Sequence, residues 1–332
     1  MPDFLSIMPK SSTAISRKFP CKVAVVWLAV RKVWTLAALG YAGEPRLKVL
    51  KQQIRWSFAA TVNSKELLEW FRILETPELS KYASLNRRLA LKPMRVYVSI
   101  SWEIGEKIKI LRDTYLFIER FGFPLQNAFI QAGGIKLATF AINSECDAYV
   151  TFGYDNSYRK EGELAISLRC PELGGSIISL AFSFGCRDDG EWTMYIGCLQ
   201  GCSGVDTKPI SKAMHGLWPK AFIVFVAQEI ASAVGVQNIL GISNAIHSHR
   251  KKHIVHISSL HEFTFDYDSF WSEVDGKLSD DGWFDIPLNS PRRPYESMKS
   301  NKRAMYTRRY AMLDDISGQI RSYLLPDNPS PQ

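Results

Sequence analysis

Residues 191–244 constrain the fold of this chain more than any other stretch. They read EWTMYIGCLQG, then a polar glycine-rich connection, then HGLWPKAFIVFVAQEIASAVGV, and finally QNILGISN. The first run predicts a strand, residues 220–234 are apolar on all sides and predict a buried helix, and residues 238–243 predict a second buried strand. A strand–helix–strand unit places its two strands side by side and parallel. The stretch therefore predicts a compact α/β core with a buried crossover helix.

Helical patterns dominate the chain before this core. Apolar spacings of three and four residues predict helices in four segments. These segments are 22–41, 45–58, 64–75 and 101–121. Residues 1–20 carry prolines and a Ser/Thr run without periodicity, which predicts a flexible leader. We therefore expect residues 21–125 to form a helical N-terminal region.

Short runs rich in β-branched and aromatic residues then predict a sheet. The runs are 134–142, 147–153, 163–170, 176–185 and 191–198. The last three are joined by connections too short for parallel crossovers, so they predict an antiparallel meander, and RDDG at 187–190 is a hairpin signal. A short helix near 267–274, a strand near 283–288 and a basic helix at 296–324 follow. The predicted fold class is α+β, with a mixed, mostly antiparallel sheet over residues 126–325 and a tail at 326–332.

The basic charge lies at the N-terminus. The chain has 41 Lys and Arg against 33 Asp and Glu, a net charge of +8. Residues 1–60 account for the whole excess, because their only acidic residues are Asp3 and Glu44. The six cysteines show no disulfide-framework spacing and indicate free thiols in a reducing compartment, which favours a cytoplasmic location. No recognisable nucleic-acid motif accompanies the charge, so nucleic acid is not an expected partner.

The segment 22–41 combines apolar and basic residues. Arg31 and Lys32 interrupt its apolar run, so we do not expect it to cross a membrane. Tryptophans and cations on one helix suit the interface of an anionic membrane, where each Lys or Arg contributes about 1 kcal/mol. The alternative is a helix that packs on the core with its cations reaching into solvent.

The order of elements around residues 191–244 resembles the acyl-CoA N-acyltransferase (GNAT-like) fold. In that fold a pantetheine arm lies between two splayed strands, and a pyrophosphate sits at the N-terminus of the crossover helix. The resemblance implies an acyl-CoA or acyl-carrier donor and a set of candidate cofactor-binding residues. These are Ile196, Cys198, Gln200, Gly201, Gly216 and Lys220. The segment His215–Lys220 reads HGLWPK here and lacks the arginine- and glycine-rich loop of the GNAT pattern.

Several longer motifs resemble the VirK/YbjX family of bacterial proteins. They are YIGCLQG, SKAMHGLWPKAF, ILGISN, DYDSFW, DGWFDIPL and KSNKRAMYTRRYAMLDDI, in the expected order over roughly residues 85–325. The resemblance implies a setting in virulence, surface display of outer-membrane proteins and envelope resistance to antimicrobial cationic peptides. It implies an envelope protein or lipid as a substrate or client, and it establishes no reaction.

Two residues are candidate catalytic groups. His215 precedes the predicted anion-binding turn and has the chemistry of a general base, although packing or capping is the commoner role. Asn244 follows the second parallel strand, at the edge where ligand sites gather in open α/β sheets. Arg308 and Arg309, on the last helix, are candidate phosphate ligands because guanidinium groups bind phosphate through two parallel hydrogen bonds.

The histidines invite a metal hypothesis. All six lie between His215 and His261, five of them in the segment HSHRKKHIVHISSLH. Three cations in the middle of that segment oppose a divalent ion, so we predict no metal site there and expect a basic loop.

Overall fold

The computed structural model describes residues 22–202, 204–248 and 265–325. The predicted leader, the predicted tail and most of the histidine-rich segment lie outside these residues. The chain divides into two compact units, one of Met1–Tyr97 with Trp102–Leu116 and one of Val98–Ser101 with Phe117–Gln332.

The first unit is helical, as predicted. Its helices are α1 (Lys22–Gly40), α2 (Arg46–Val62), α3 (Ser64–Leu74), α4 (Pro77–Leu85) and most of α5 (Ile104–Phe121). Trp56, Trp70 and Tyr82 are almost fully buried in its core. Because large aromatic side chains each remove a large apolar area from water, they stabilise this unit strongly.

Helix α1 is both long and strongly apolar. It has 19 residues with a mean hydropathy of 1.6, which is long and apolar enough to cross a membrane by length and composition alone. One face, which includes Ala29, Val33 and Leu36, is buried. About a fifth of the helix (22%) is buried, so the remainder is accessible.

The second unit is an eight-stranded mixed sheet with helices. Its strands are β1 (Ile135–Ala141), β2 (Asp147–Gly153), β3 (Leu164–Cys170), β4 (Gly175–Cys186), β5 (Trp192–Gly201), β6 (Asn238–Ile242), β7 (Lys277–Leu278) and β8 (Trp283–Ile286). Its helices, after the end of α5, are α6 (Phe123–Ile130), α7 (Lys208–Ala213), α8 (Pro219–Ala233), α9 (Tyr267–Glu273) and α10 (Ser300–Leu324).

The strand order is β1-β2-β3-β4-β5-β6-β8-β7. Strands β5 and β6 are parallel, and every other described pair is antiparallel. The mixed α+β class, the meander and the parallel pair joined by α8 are therefore confirmed. The short strand β7, which pairs with β8, was not predicted, since its two exposed residues carry no pattern.

Local chemistry explains the turns that frame this unit. At the β4–β5 hairpin, Gly190 has φ of 88°, and the Arg187 N–H donates to the Glu191 carbonyl at 2.8 Å. After α8, Gly235 has φ of 74°, and the Val236 N–H donates to the Ala231 carbonyl at 2.9 Å. Glycine adopts this left-handed conformation without steric cost, which explains both turns, and the hairpin occurs where the sequence predicted it.

Helix α8 covers one face of the sheet. The ring of Phe222 lies 5.5 Å from that of Phe140, in an edge-to-face arrangement. Helix α10 packs beside it, where the Gln319 side chain exchanges hydrogen bonds with both the N–H and the carbonyl of Thr139. Gln319 thus satisfies backbone groups of edge strand β1, which would otherwise be open to pairing with another chain.

Gly197 is a β-bulge in the centre of the sheet. Ala181 pairs with Cys198 and Phe182 pairs with Ile196, so Gly197 is an extra residue on β5. A Cβ atom on Gly197 would lie 2.1 Å from the Glu161 carbonyl oxygen. The bulge therefore requires glycine because backbone approaches it closely.

We expect Gly197→Ala to lower the free energy of unfolding by about 2 kcal/mol, the cost of overpacking a core. Gly201→Ala is the matched control on the same strand, since its nearest neighbour would be 3.8 Å away. We expect the control to stay within about 0.5 kcal/mol. Urea unfolding measures both, and equal losses would contradict the assigned close approach.

Candidate functional site

The parallel strands β5 and β6 separate at their carboxyl ends. Their pairing runs from Thr193 and Asn238 to Ile196 and Gly241 and stops there, while β5 continues to pair with β4 as far as Gly201. The bulge at Gly197 lies where the two strands part. Ligand sites of open α/β sheets form at such points, at the carboxyl ends of the strands.

Tyr267 fills the gap between the two strands. Its hydroxyl accepts a hydrogen bond from the Leu199 N–H at 3.0 Å and lies 3.3 Å from the Leu199 carbonyl, to which it donates. The side chain is 2% exposed, and burial raises the pKa of Tyr267 well above its ordinary value. The phenol therefore stays neutral and serves as donor and acceptor at once. The ring of His247 stacks on it at 5.0 Å.

Asn244 fixes the start of α9 against the end of β6. Its side-chain N–H donates to Asp266 at 2.7 Å, its side-chain carbonyl accepts from the Tyr267 N–H at 3.0 Å, and its backbone N–H donates to Asp268 at 2.7 Å. The hydrogen bond from Asn244 is the largest cause of the lowered pKa of Asp266, which also caps α9 through the Ser269 N–H. The structure thus gives Asn244 a positioning role, and a catalytic role stays a prediction.

A cleft of about 650 Å³ lies at the N-terminus of α8. Residues that line it include Gly216, Trp218, Lys220, Phe265, Glu273 and Arg293. Helix α8 begins at Pro219 without a side-chain cap. The first turn of a helix has N–H groups without intrahelical partners, so those of Lys220 and Ala221 are available at this wall.

Side chains of both charges line the cleft. Lys220 and Arg293 are cationic, and the Lys220 ammonium lies 4.2 Å from the centre of the Phe265 ring. Asp266 and Glu273, from the two ends of α9, are acidic. The first turn of α8 with the two cations suits an anion such as a phosphate, and the two carboxylates suit a cationic group.

Arg309 holds the turn that precedes α8. Its guanidinium donates two hydrogen bonds to the His215 carbonyl, at 2.7 and 3.1 Å, and stacks 4.7 Å from the centre of the Tyr306 ring. His215 has φ of 50°, a strained value for a residue other than glycine, and the bonds from Arg309 help to maintain it. Arg308 donates to the Ala304 carbonyl of its own helix at 3.3 Å.

The His215 imidazole is partly buried beside these cations. Burial, followed by the charges of Arg308 and Arg309, lowers the pKa of His215. The ring is therefore neutral at neutral pH and can accept a proton.

The predicted site residues fall into separate places. Gly216 and Lys220 line the cleft, and Arg309 contacts the turn beside it. Ile196 and Cys198 are buried in β5, Gln200 and Gly201 are exposed at its end, and none of the four is among the residues that line the cleft. Burial raises the pKa of the Cys198 thiol, which is consequently protonated at neutral pH.

Sequence reasoning missed Arg293, Phe265 and Tyr267 as parts of the site. Arg293 stands in an Arg-Arg pair between two prolines, a signal that could have marked an ordered basic turn. Tyr267 gave no signal, because its partner Leu199 is 68 residues away.

Three residues at the sheet edge bring metal-ligand atoms together. The sulfur atoms of Cys146 and Cys170 lie 3.3 Å apart, and a Glu172 carboxylate oxygen lies 3.3 and 3.4 Å from them. Among the described residues, this cluster could hold a metal ion. Hydrogen bonding to Cys170 and burial raise the pKa of Cys146 to about 12. Four histidines of the histidine-rich segment, His249, His253, His256 and His261, lie outside the described residues.

The protein has a mixed α+β fold, and its candidate site is a cleft lined by both acidic and basic side chains. The sequence model of the family DUF535, described as a protein of unknown function, matches residues 45–322. The chain therefore belongs to this family. The match extends further towards the N-terminus than the motifs recognised in the sequence.

Three relatives of the chain are bacterial proteins. It is 27% identical over 259 residues to "Uncharacterized protein YbjX" of Escherichia coli, which covers 76% of this chain and 77% of the relative. Two proteins of Haemophilus influenzae, each described as an uncharacterized protein, are 32% identical over 117 residues and 30% identical over 132 residues. These matches cover 35% and 39% of this chain, and 37% and 43% of the relatives. No solved structure matches the chain.

Proposed function

We propose that the protein transfers an acyl or aminoacyl group from a phosphate-bearing carrier to a component of the bacterial envelope, on the cytoplasmic side. One observation carries the proposal: the uncapped first turn of α8, Lys220 and Arg293 meet in one cleft. Unpaired N–H groups and two cations suit a pyrophosphate or phosphate group. The combination supports the GNAT-like interpretation, whereas the role in envelope maintenance and virulence rests on the resemblance of the sequence motifs alone.

The residues present fit the phosphate end of acyl-CoA. The first turn of α8, Lys220 and Arg293 would hold the phosphates, and the rings of Trp218 and Phe265 offer a surface on which an aromatic base could stack. The carrier would supply an activated acyl group: as the acceptor amine forms the new C–N bond, the C–S or C–O bond to the carrier would break, and the carrier would leave as its free thiol or hydroxyl. The space between β5 and β6 is filled by Tyr267, so a pantetheine arm would have to leave the cleft by another route.

The two carboxylates and His215 suit an amine acceptor. Asp266 and Glu273 would attract its ammonium form, and the neutral His215 imidazole, beside Gly216 of the cleft, would accept the proton that the amine must lose. Because that role needs the neutral ring, we expect the rate to fall as the pH drops through the lowered pKa of His215.

Calorimetric titration and thermal shift with acyl-CoA, acyl-carrier protein and aminoacyl-tRNA test the proposal. We expect saturable binding of at least one donor and a raised melting temperature in its presence. Absence of binding for all three donors would overturn the transfer function.

The second candidate is a non-catalytic binding or chaperone-like factor for surface display of an outer-membrane protein. The observation that favours it is Tyr267, whose hydroxyl occupies the position between the strands where a substrate arm would lie in a GNAT-like enzyme. A pull-down of envelope proteins separates the candidates. Recovery of a client at wild-type level by His215→Ala and Lys220→Gln, with no donor bound, would support this second function.

We also propose that the protein lies at the inner membrane as a peripheral protein. Val23, Trp27 and Trp34 of α1 are exposed, within the predicted segment 22–41. Their exposure supports an interfacial position for this helix. If the double variant Trp27→Ser and Trp34→Ser co-sediments with liposomes as the wild type does, α1 does not contact the membrane.

A further inference from the structure

Helix α2 exposes a continuous apolar stripe. Leu47, Leu50, Ile54, Phe58 and Val62 are 83%, 44%, 58%, 76% and 75% exposed. Their spacing of three or four residues places all five on one face of a 17-residue helix. Five large apolar side chains in one row are far more than the scattered exposed residues of an ordinary surface.

The stripe is not the unfilled half of a core. The opposite face of α2 is already packed, with Trp56 2% exposed and Ala60 fully buried. The guanidinium groups of Arg55 and Arg95 lie 4.6 and 5.5 Å from the centre of the Trp56 ring. The helix is thus fixed in its unit by one face and presents the other to solvent.

The charge of α2 identifies what would cover the stripe. The helix carries Arg46, Lys48, Lys51 and Arg55 and has no acidic residue. Lys48 is paired with Glu44, at 2.9 Å, just before the helix. Lys51 is exposed at the margin of the stripe, at a helical position beside Ile54 and Phe58. Arg55 is also exposed, further round the helix, and its guanidinium contacts the edge of the packed face at Trp56.

Apolar side chains bordered by cations match the interface of an anionic bilayer. The apolar groups enter the acyl boundary and the cations meet the headgroup phosphates. A second copy of this chain fits less well, because two such faces would bring their cations together. Residues 1–21 fit less well for the same reason, since they add Lys10, Arg17 and Lys18 against Asp3 alone.

We propose that the outer face of α2 is a membrane-binding surface that takes anionic phospholipid headgroups. This inference rests on the proposed peripheral location and names its main contact, which the sequence had placed in α1. It is independent of the cleft at α8.

Co-sedimentation of the full chain with vesicles tests the surface. We expect binding to phosphatidylglycerol–phosphatidylcholine vesicles, weak binding to pure phosphatidylcholine vesicles, and a decrease with salt. Ile54→Ser with Phe58→Ser should lower the partition coefficient at least about 30-fold, because two buried apolar side chains are lost. Lys51→Gln with Arg55→Gln should lower it about 10-fold or more on anionic vesicles only.

Matched controls remove equally exposed apolar groups elsewhere. Leu85→Ser in α4 and Ile130→Ser in α6 change side chains that are 57% and 52% exposed. Vesicle binding unchanged in the Ile54 and Phe58 variant, or lost equally in the controls, would overturn the proposal. Loss of self-association in that variant without loss of vesicle binding would also overturn it, in favour of a second copy.

The cleft provides the check on independence. The Ile54 and Phe58 variant should titrate with CoA like the wild type. If this variant loses vesicle binding and keeps CoA binding, the result supports the membrane-binding surface on α2, independently of the reaction that the protein catalyses. If acyl-CoA, acyl-carrier protein and aminoacyl-tRNA all fail to bind the wild type, the transfer function fails and the vesicle result stands by itself.

Discussion

Replacement of Lys220 and Arg293 by glutamine is expected to weaken CoA binding about 100-fold or more. Each cation would make a charge-assisted hydrogen bond with a phosphate, a contact that contributes about 1.5–3 kcal/mol. The two residues line the same cleft beside the uncapped start of α8. Titration calorimetry at fixed ionic strength measures the change, since such contacts weaken with salt.

Arg120 supplies the matched control. It lines a second cleft of about 600 Å³. That cleft also includes Trp192, at the start of β5, and Gln237, just before β6. Because that edge carries the amino ends of the parallel strands, we expect Arg120→Gln to leave CoA binding unchanged. Equal weakening by Arg120→Gln would show that only the overall charge matters, and the α8 cleft would lose its assignment.

Asn244→Ala is expected to lower the free energy of unfolding by about 2 kcal/mol. The substitution removes the acceptor of the Tyr267 N–H and the donor to Asp266. The loss comes from the Tyr267 N–H, because a backbone donor left without a partner costs about 1–3 kcal/mol. Release of the start of α9 would also disturb the bonds between Tyr267 and Leu199.

Asn238→Ala is the control for this prediction. Asn238 lies on the same strand, and its side chain makes one exposed hydrogen bond, to Glu191 at 2.9 Å. We expect a loss of no more than about 1 kcal/mol. Urea unfolding of the two variants should therefore differ clearly in midpoint, and similar midpoints would refute the positioning role of Asn244.

The sequence predicted the elements whose causes are local. The all-apolar run of α8 and the RDDG turn each specify their structure within a few residues, and both are confirmed. The parallel placement of β5 and β6 followed from the handedness and length of a crossover.

The site depends on contacts between distant residues, which no local pattern encodes. The Arg309 side chain and the His215 carbonyl are 94 residues apart in sequence, and the Tyr267 hydroxyl and Leu199 are 68 apart. Arg293 enters the cleft from a turn with no helical or strand periodicity. Sequence reasoning therefore located the helix N-terminus with Gly216 and Lys220, and missed the residues that complete the cleft around it.

The membrane surface shows a different limitation. Residues 45–58 were predicted as a helix from their apolar spacing, which does not say what the apolar face contacts. The structure buries the opposite side instead, at Trp56 and Ala60. An apolar stripe in a sequence shows that burial of that face would be favourable. Only the packed structure shows whether the protein itself buries it.

Phosphorus-31 NMR of CoA observes the phosphate groups that would bind at the start of α8. We expect the pyrophosphate resonances to broaden or shift on addition of the wild-type protein. We expect them to stay unchanged with the Lys220→Gln and Arg293→Gln double variant. Equal broadening with the two proteins, or none with the wild type, would contradict a phosphate site at the start of α8.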